Sequence, residues 1–409
     1  MGKRMKLPIL LGMLLVLVMV FAACTGGAAP AAESGGAAPT GEPIKIGAIF
    51  DLTGPTSDVG TPYAQGVEGY VDWLNQNGGV DGRQIDLISQ DYAYKVDQAE
   101  QLYSQYVDEG VVTFMGWGTG DTEALRGRIA ADEIPFMSAS YSAALNSQEE
   151  APYNFLVGTT YSDQLIIALQ WALQDWADKG GEGAPKVAVM HHNSPFGTSP
   201  VADGQAFAEA NGMEFTAVAM PSGATDLTPE LSQVQSFGAN YIMIQNVSSP
   251  AALLVKDKQR LGMDDVQVVC LNWCADENLI NLAEGAAEGV VGAIPFTPPS
   301  VEAPGQADPR AYLEAKGESL DEIGLHYTQG WTTMDVMMEG IRRTLADGND
   351  LTGANIKAAL ETISDYDTGG ITSPITFTPE DHAGSKSLRL FQVKDGKWQA
   401  ISDYIGVEQ

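Results

Sequence analysis

The chain has 409 residues, with 53 acidic against 22 basic side chains and a formal charge of −31. A surface of that sign repels nucleic acid and anionic lipid, which excludes both as binding partners of the folded part. An apolar content of 44% excludes a disordered acidic chain as the main mass and is enough for packed cores.

At the N-terminus Lys3, Arg4 and Lys6 precede an apolar run from Leu7 to Val20 and then "FAAC", ending at Cys24. This is the layout of a secretory signal, too short and one-sided for a membrane span. The small Ala23 directly before Cys24 resembles the lipobox of bacterial lipoproteins, with Phe21 where leucine is usual. Residues 1–23 therefore read as a lipoprotein signal peptide and Cys24 as the lipid attachment point, with an ordinary cleaved signal as the alternative. The expected location is extracytoplasmic, anchored to the cell membrane. Loss of the three basic residues of the signal brings the charge near −34. Residues 24–43 are rich in Gly, Ala and Pro and lack an apolar period, so they read as a flexible tether.

From Ile44 the pattern is strand and helix in alternation. "IKIGAIF" is a buried strand, and Val67, Tyr70, Val71 and Leu74 recur at helical spacing before a Gly-Gly stop. "RQIDLISQD", the helix "VDQAEQLYSQYVDEG", the strand "VVTFMG", the helix "DTEALRGRIAADE" and the strand "IPFMSAS" continue it. A second round begins with the helix "LIIALQWALQDWA" and the strand "KVAVMHHN", and runs on through "FTAVAM", "NYIMIQN" and "VQVVCLN" with helices between. Such alternation argues for parallel sheets covered on both faces. A long amphipathic helix, "YTQGWTTMDVMMEGIRRTLADG", a second, "TGANIKAALETI", and a strand-and-turn tail that suits an antiparallel addition close the chain.

The stretches "IKIGAIFDLTGPTSDVG", "GVEGYVDWLNQNGGVDGRQIDLISQD", "MGWGTGDTEAL", "IPFMSASYS", "TDLTPELSQVQSFGANYIMIQN" and "ITFTPEDHAG" resemble, in order, the solute-binding proteins of ABC importers, in the branched-chain amino-acid-binding group. The resemblance spans Ile44 to Gln409. It implies an α/β protein of two doubly wound parallel-sheet lobes joined by a three-segment hinge, the type I periplasmic binding protein fold. The crossings are expected near 158–163, 290–295 and 373–377, which puts 44–160 with 293–375 in lobe one and 161–292 with 376–409 in lobe two. It further implies a small-molecule ligand in the cleft, hinge closure on binding, delivery to a membrane permease, a monomer, no cofactor, no metal and no catalysis.

Carried over residue by residue, the resemblance puts Trp117, Thr119, Gly120 and Asp121 where the family holds a ligand carboxylate. The physics agrees, since a helix N-terminus offers free N–H groups to an anion, although Asp121 can cap that helix itself. Ser140, Tyr141 and Ser142 supply a second hydroxyl contact; Phe196 packs on the ligand; Gln245, Asn246 and Val247 end a strand at the cleft; Trp331 enters from a hinge-side helix. Ligands bind at strand C-termini in open α/β sheets. Where amino-acid-binding members keep an acid for the ligand ammonium, this chain has Asn272, flanked by Trp273, and Asp276 serves only if the loop shifts. A buried ammonium without a counter-charge is costly. The ligand is therefore either a branched-chain or other hydrophobic amino acid, or a solute without an ammonium group such as an aromatic or aliphatic carboxylate or an amide.

Cys270 and Cys274 cannot by themselves make a tetrahedral zinc site. In an exported protein a local disulfide is the expected state, provided a turn at Asn272 brings the two residues together. An enzyme built on His191 or His192 with Ser194 is opposed by the lack of any hydrolase motif, and an extracellular sensor domain by the lack of a signalling domain.

Overall fold

The computed structural model describes residues 41–407, all of which lie in one compact unit, Ala37–Gln409. The expected signal peptide, the lipid site at Cys24 and nearly all of the tether fall outside the described residues. Among the described residues no helix is long and apolar enough to cross a membrane.

Strands β1 (Ile44–Phe50), β2 (Ile85–Asp91), β3 (Thr113–Gly116), β4 (Phe136–Ser138) and β5 (Asn154–Phe155) form a five-stranded sheet in the order β2-β1-β3-β4-β5. Every pairing in it is parallel. In β1 only Lys45 reaches solvent, as expected of a strand covered on both faces. The second sheet holds β6 (Lys186–His192), β7 (Glu214–Met220), β8 (Tyr241–Gln245), β9 (Gln267–Leu271) and β10 (Val291–Ile294), extended by β11 (Ser387–Lys394) and β12 (Lys397–Ala400), with β13 (Ile405–Gly406) on β11. Its order is β12-β11-β10-β9-β8-β6-β7, and β11 enters antiparallel to β10. The β11–β12 hairpin turns at Asp395 (φ 53°) and Gly396 (φ 69°), and positive φ at both central positions is what an Asp-Gly turn supplies.

The helix Leu325–Ala346 returns to lobe one and lies against Ser57–Gln76. Two glycines let the backbones meet: a Cβ on Gly66 would strike the Tyr327 carbonyl and one on Gly330 the Tyr63 carbonyl, both well inside contact distance. Trp331, expected in the ligand site, packs instead in this helix layer. Its ring lies 5.4 Å from Tyr70, 5.5 Å from Trp73 and 5.6 Å from Tyr312. Trp331→Ala is therefore expected to lower stability by about 3–5 kcal/mol, the usual cost of emptying a buried aromatic site. Ligand affinity should be unchanged; a urea melt beside a binding titration checks both.

The chain passes between the sheets three times, and hydroxyls tie the passages together. Thr159 Oγ1 lies 3.1 Å from Ser385 Oγ, which lies 2.8 Å from Ser373 Oγ. The third passage sits at 385–387, not at 373–377. The segment before it folds back on lobe one: Leu156 N donates to His382 O (2.9 Å) and Gly384 N to Leu156 O (2.8 Å), which adds a parallel bridge beyond β5. Backbone groups at the edge of β5 need partners, and this segment provides them.

Candidate functional site

The C-terminal ends of β3 and β4 face the second lobe. After β3 the chain turns through Trp117 and Gly118 into the helix Thr119–Asp132. Gly118 N donates to Asp121 Oδ2 (3.2 Å), Thr122 Oγ1 donates to Gly118 O (2.6 Å), and Tyr92 OH donates to Asp121 Oδ1 (2.8 Å). Asp121 is thus spent on the start of its own helix. Burial pushes its pKa up to about 7 against the pull of Tyr92 and the backbone. Gly118 has no room for a side chain, since a Cβ would meet Asp121 Oδ1, Tyr92 OH and Tyr94 Cε2.

Across the two strand ends runs a line of hydroxyls: Thr119 Oγ1 and Ser140 Oγ are 2.7 Å apart, and Thr122 Oγ1 and Ser138 Oγ are 2.9 Å apart. Lobe two closes over this line. Tyr161 opens the helix Tyr161–Asp178, Phe196 sits in the turn Pro195–Thr198, Val247 follows β8 and Trp273 follows β9. Trp273 Nε1 donates to Tyr161 OH (2.7 Å), and Trp117 Nε1 donates to Thr56 Oγ1 (2.9 Å). Their indole N–H groups are therefore occupied, leaving ring surface to line the space between.

That space is a small cavity of about 20 Å³ lined by Thr56, Tyr94, Trp117, Gly118, Thr119, Ala139, Tyr161, Phe196, Val247 and Trp273. It has room for about one water molecule, so a solute of amino-acid size needs the walls to part, as hinge movement of the lobes allows. None of its lining side chains is formally charged. Hydroxyls and the N-terminus of Thr119–Asp132 stand at one side and five aromatic rings surround the rest.

Of the residues expected at the site, Trp117, Thr119, Phe196 and Trp273 line the cavity. Others stand one layer back. Ser140 bonds Thr119; Tyr141 stacks on Trp273 (6.1 Å, 8°) and accepts from Gln329 Nε2 (2.7 Å); Gln245 Nε2 holds the Phe196 carbonyl (3.0 Å). Ser142 joins Glu123 and the Ser199 hydroxyl of lobe two, and Gly120 approaches Pro195, so both mark the line where the lobes meet. Asn246 Oδ1 caps its own loop by accepting from Val247 N (2.8 Å). Asn272 is fully buried beside the hinge helix, where its N donates to Gln164 Oε1 (3.1 Å); it does not line the cavity.

Asp276, the fallback partner for a ligand ammonium, is committed elsewhere: it caps the helix Glu277–Ala283 through Leu279 N (2.8 Å) and accepts from Ser248 Oγ (2.6 Å). The expected disulfide is absent; Cys270 and Cys274 are free, buried thiols. A short turn at Asn272–Cys274 aims the Cys274 thiol at the carbonyls of Ile244 (3.5 Å) and Leu271 (3.6 Å), and burial holds its pKa well above the usual range.

Val247, expected at the cleft end of its strand, also lines the cavity, whereas Thr56, Tyr94, Ala139 and Tyr161 were not foreseen. Tyr94 (φ 58°) follows Ala93 (φ 51°), two left-handed non-glycine residues in a row, which is the kind of strain that collects at binding sites. "DYAYK" carries no periodic signal for it. Tyr161 follows Thr160, whose side chain caps the hinge helix by accepting from Asp163 N (3.1 Å), and that capping pattern was a legible pointer to a residue entering the cleft.

Among known proteins, a leucine-, isoleucine-, valine-, threonine- and alanine-binding protein of Pseudomonas aeruginosa is 21% identical over 306 residues, 73% of this chain and 78% of that protein. A branched chain amino acid ABC transporter structure from Thermus thermophilus with bound valine superposes with a TM-score of 0.84 at 27% identity, covering 90% of this chain and 97% of that one. An ABC transporter substrate binding protein of Aeropyrum pernix gives 0.81 at 29% identity, over 90% of this chain and 96% of that one. The model of the periplasmic binding protein family matches residues 43–397, and the chain belongs to that family.

Proposed function

We propose that this protein is the extracytoplasmic substrate-binding component of an ABC importer, and that it captures a branched-chain or similar hydrophobic amino acid between its lobes and hands it unchanged to the permease. The observation that carries this is the lining of the space between the lobes: hydroxyls and a helix N-terminus for a carboxylate, and aromatic rings for an apolar body. The valine-bound relative supports the ligand class. The proposal includes a monomer held at the membrane by a lipid on Cys24, with residues 24–43 as the tether.

One feature favours a second reading, a carboxylate without an ammonium group. The cavity offers a cation aromatic faces worth about 2 kcal/mol when desolvated, against several kcal/mol for taking an ammonium out of water. An amino acid must find its remaining acceptors on uncharged oxygens, the hydroxyls of the lining and backbone carbonyls. L-valine, L-leucine and 3-methylbutanoate, each tested by thermal shift, separate the two. Stabilisation by the amino acids and not by 3-methylbutanoate is the expected result; the reverse selects the second reading. Stabilisation by none of the three would sink the carboxylate site itself.

A further inference from the structure

The two lobes touch outside the cavity through a partly buried cluster of ionisable groups. Asp58, in the first turn of Ser57–Gln76, accepts from Ser249 N (2.8 Å) and Ser249 Oγ (2.6 Å) across the interface. Glu277 of lobe two accepts from Leu325 N (2.8 Å) at the start of the lobe-one helix. His326, on that helix, places Nε2 3.3 Å from Asp276 Oδ2, near enough for an ion pair though not aligned for a hydrogen bond. Its Nδ1 is 3.0 Å from Gln329 Oε1, and its ring stacks on the cavity residue Trp273 at 4.9 Å. Three carboxyl groups thus lie around one imidazole where the lobes touch, with Asp276 and His326 buried and Asp58 and Glu277 half-buried. Asp58 Oδ1 and Glu277 Oε1 have no hydrogen-bond partner among the described residues.

We propose that Asp58, Asp276, Glu277 and His326 form a proton-operated latch on the cleft: closing takes up protons, so the closed, solute-holding form is favoured as pH falls and loosened as it rises. This rests on reading the present arrangement as the closed form of the ligand site. Three carboxylates against one imidazolium leave excess negative charge in a partly desolvated site, and protons remove it.

The direction follows from each group. Burial raises Asp58, outweighing its bonds to Ser249. Burial raises Glu277 to about 7, with Asp276 adding to it. Burial opposes a charged His326, but Asp276, Gln329 and Glu277 outweigh it and its pKa is raised. A group whose pKa is raised on closing favours the closed form below that pKa and ceases to as pH climbs through it. All three therefore act in one direction.

His192 shares a surface cavity with Asp58; burial and His191 lower its pKa, so it opposes closure on the acid side, below its ordinary value. Asp121, also titrating near neutrality, has its partners in lobe one alone. The helices packed against the cluster add Lys256, held on Leu282 O (3.1 Å), and Asp321, paired with Arg310 (2.8 Å).

Small-angle scattering of the ligand-free full chain between pH 8 and pH 6 tests the latch, with calorimetric titration of L-valine and 3-methylbutanoate alongside. The closed-to-open ratio is expected to rise roughly tenfold toward pH 6, as for one carboxyl whose pKa moves from the ordinary range to about 7. The double variant Asp58→Asn, Glu277→Gln should be compact and keep only the smaller pH change that His326 carries against Asp276; if it does not fold, Glu277→Gln alone should remove most of the change. A native radius independent of pH, or a variant that follows the native curve, overturns the latch even if L-valine binds. A native radius that contracts while neither probe binds upholds the latch and overturns the ligand reading.

Discussion

Replacing Trp273 with alanine is expected to abolish measurable solute binding, an affinity loss of at least about a hundredfold. The residue forms a wall of the cavity and holds four others in place. Its ring meets Trp117 edge-on at 4.9 Å and stacks on Tyr141 and His326, while Nε1 fixes the Tyr161 hydroxyl (2.7 Å). Truncation opens a void that water fills and frees Tyr161 and Trp117 to collapse into it. The change should also lower stability by about 3–5 kcal/mol. Trp273→Phe separates the effects: it restores most of the buried surface but not the bond to Tyr161. It should recover folding by urea titration and only part of the affinity by calorimetry. Full binding by Trp273→Ala would remove this cavity from the account.

Gly330→Val acts on folding through the helix contact. Gly330 and Gly66 let the helices Leu325–Ala346 and Ser57–Gln76 approach backbone to backbone, and a Cβ at 330 lands on the Tyr63 carbonyl with Val67 N close behind. Backbone cannot rotate away as a side chain can. Overpacking costs about 1–3 kcal/mol where side chains yield, so a valine here should cost about 3 kcal/mol or more. Tyr63 also touches Trp117 and Trp273 at 5.3 and 6.0 Å, and the shift should reach the cavity. The expected outcome is a chain with a lower denaturation midpoint and weakened solute binding. An unchanged midpoint would show that the helices can part at no cost.

The alternation of buried strands and helices was readable because parallel strands covered on both faces leave a strong apolar signal, and β1, β3, β6, β8 and β9 all fall where that signal is. The loop after β3 was readable for the same reason: a glycine turn opening a helix at a strand end has few uses. What resisted reading was direction. Nearly every residue of Leu325–Met338 is buried, so helical period does not say which face meets the cleft, and Trp331 turned inward to Tyr70 and Trp73. Asp276 stands directly before a helix and caps it, a local use that took precedence over any ligand. The third passage slipped from 373–377 to 385–387 because "TPED" makes a tight turn, Thr378 bridging Asp381, that returns the chain to lobe one before it leaves. Pairing partners distant in sequence decide such a place, and no local pattern reports them.

The central claim is that a small solute is held between the lobes by the Thr119 side of the cavity and its aromatic wall. Hydrogen–deuterium exchange with and without saturating L-valine tests it most directly. The account predicts slowed exchange at 117–122, 139–142, 160–164, 194–198 and 271–276, the segments that close on the cavity, with the outer edge strands β7 and β12 unchanged. Protection confined to the surface of one lobe, with no change at 117–122 or 271–276, would contradict it.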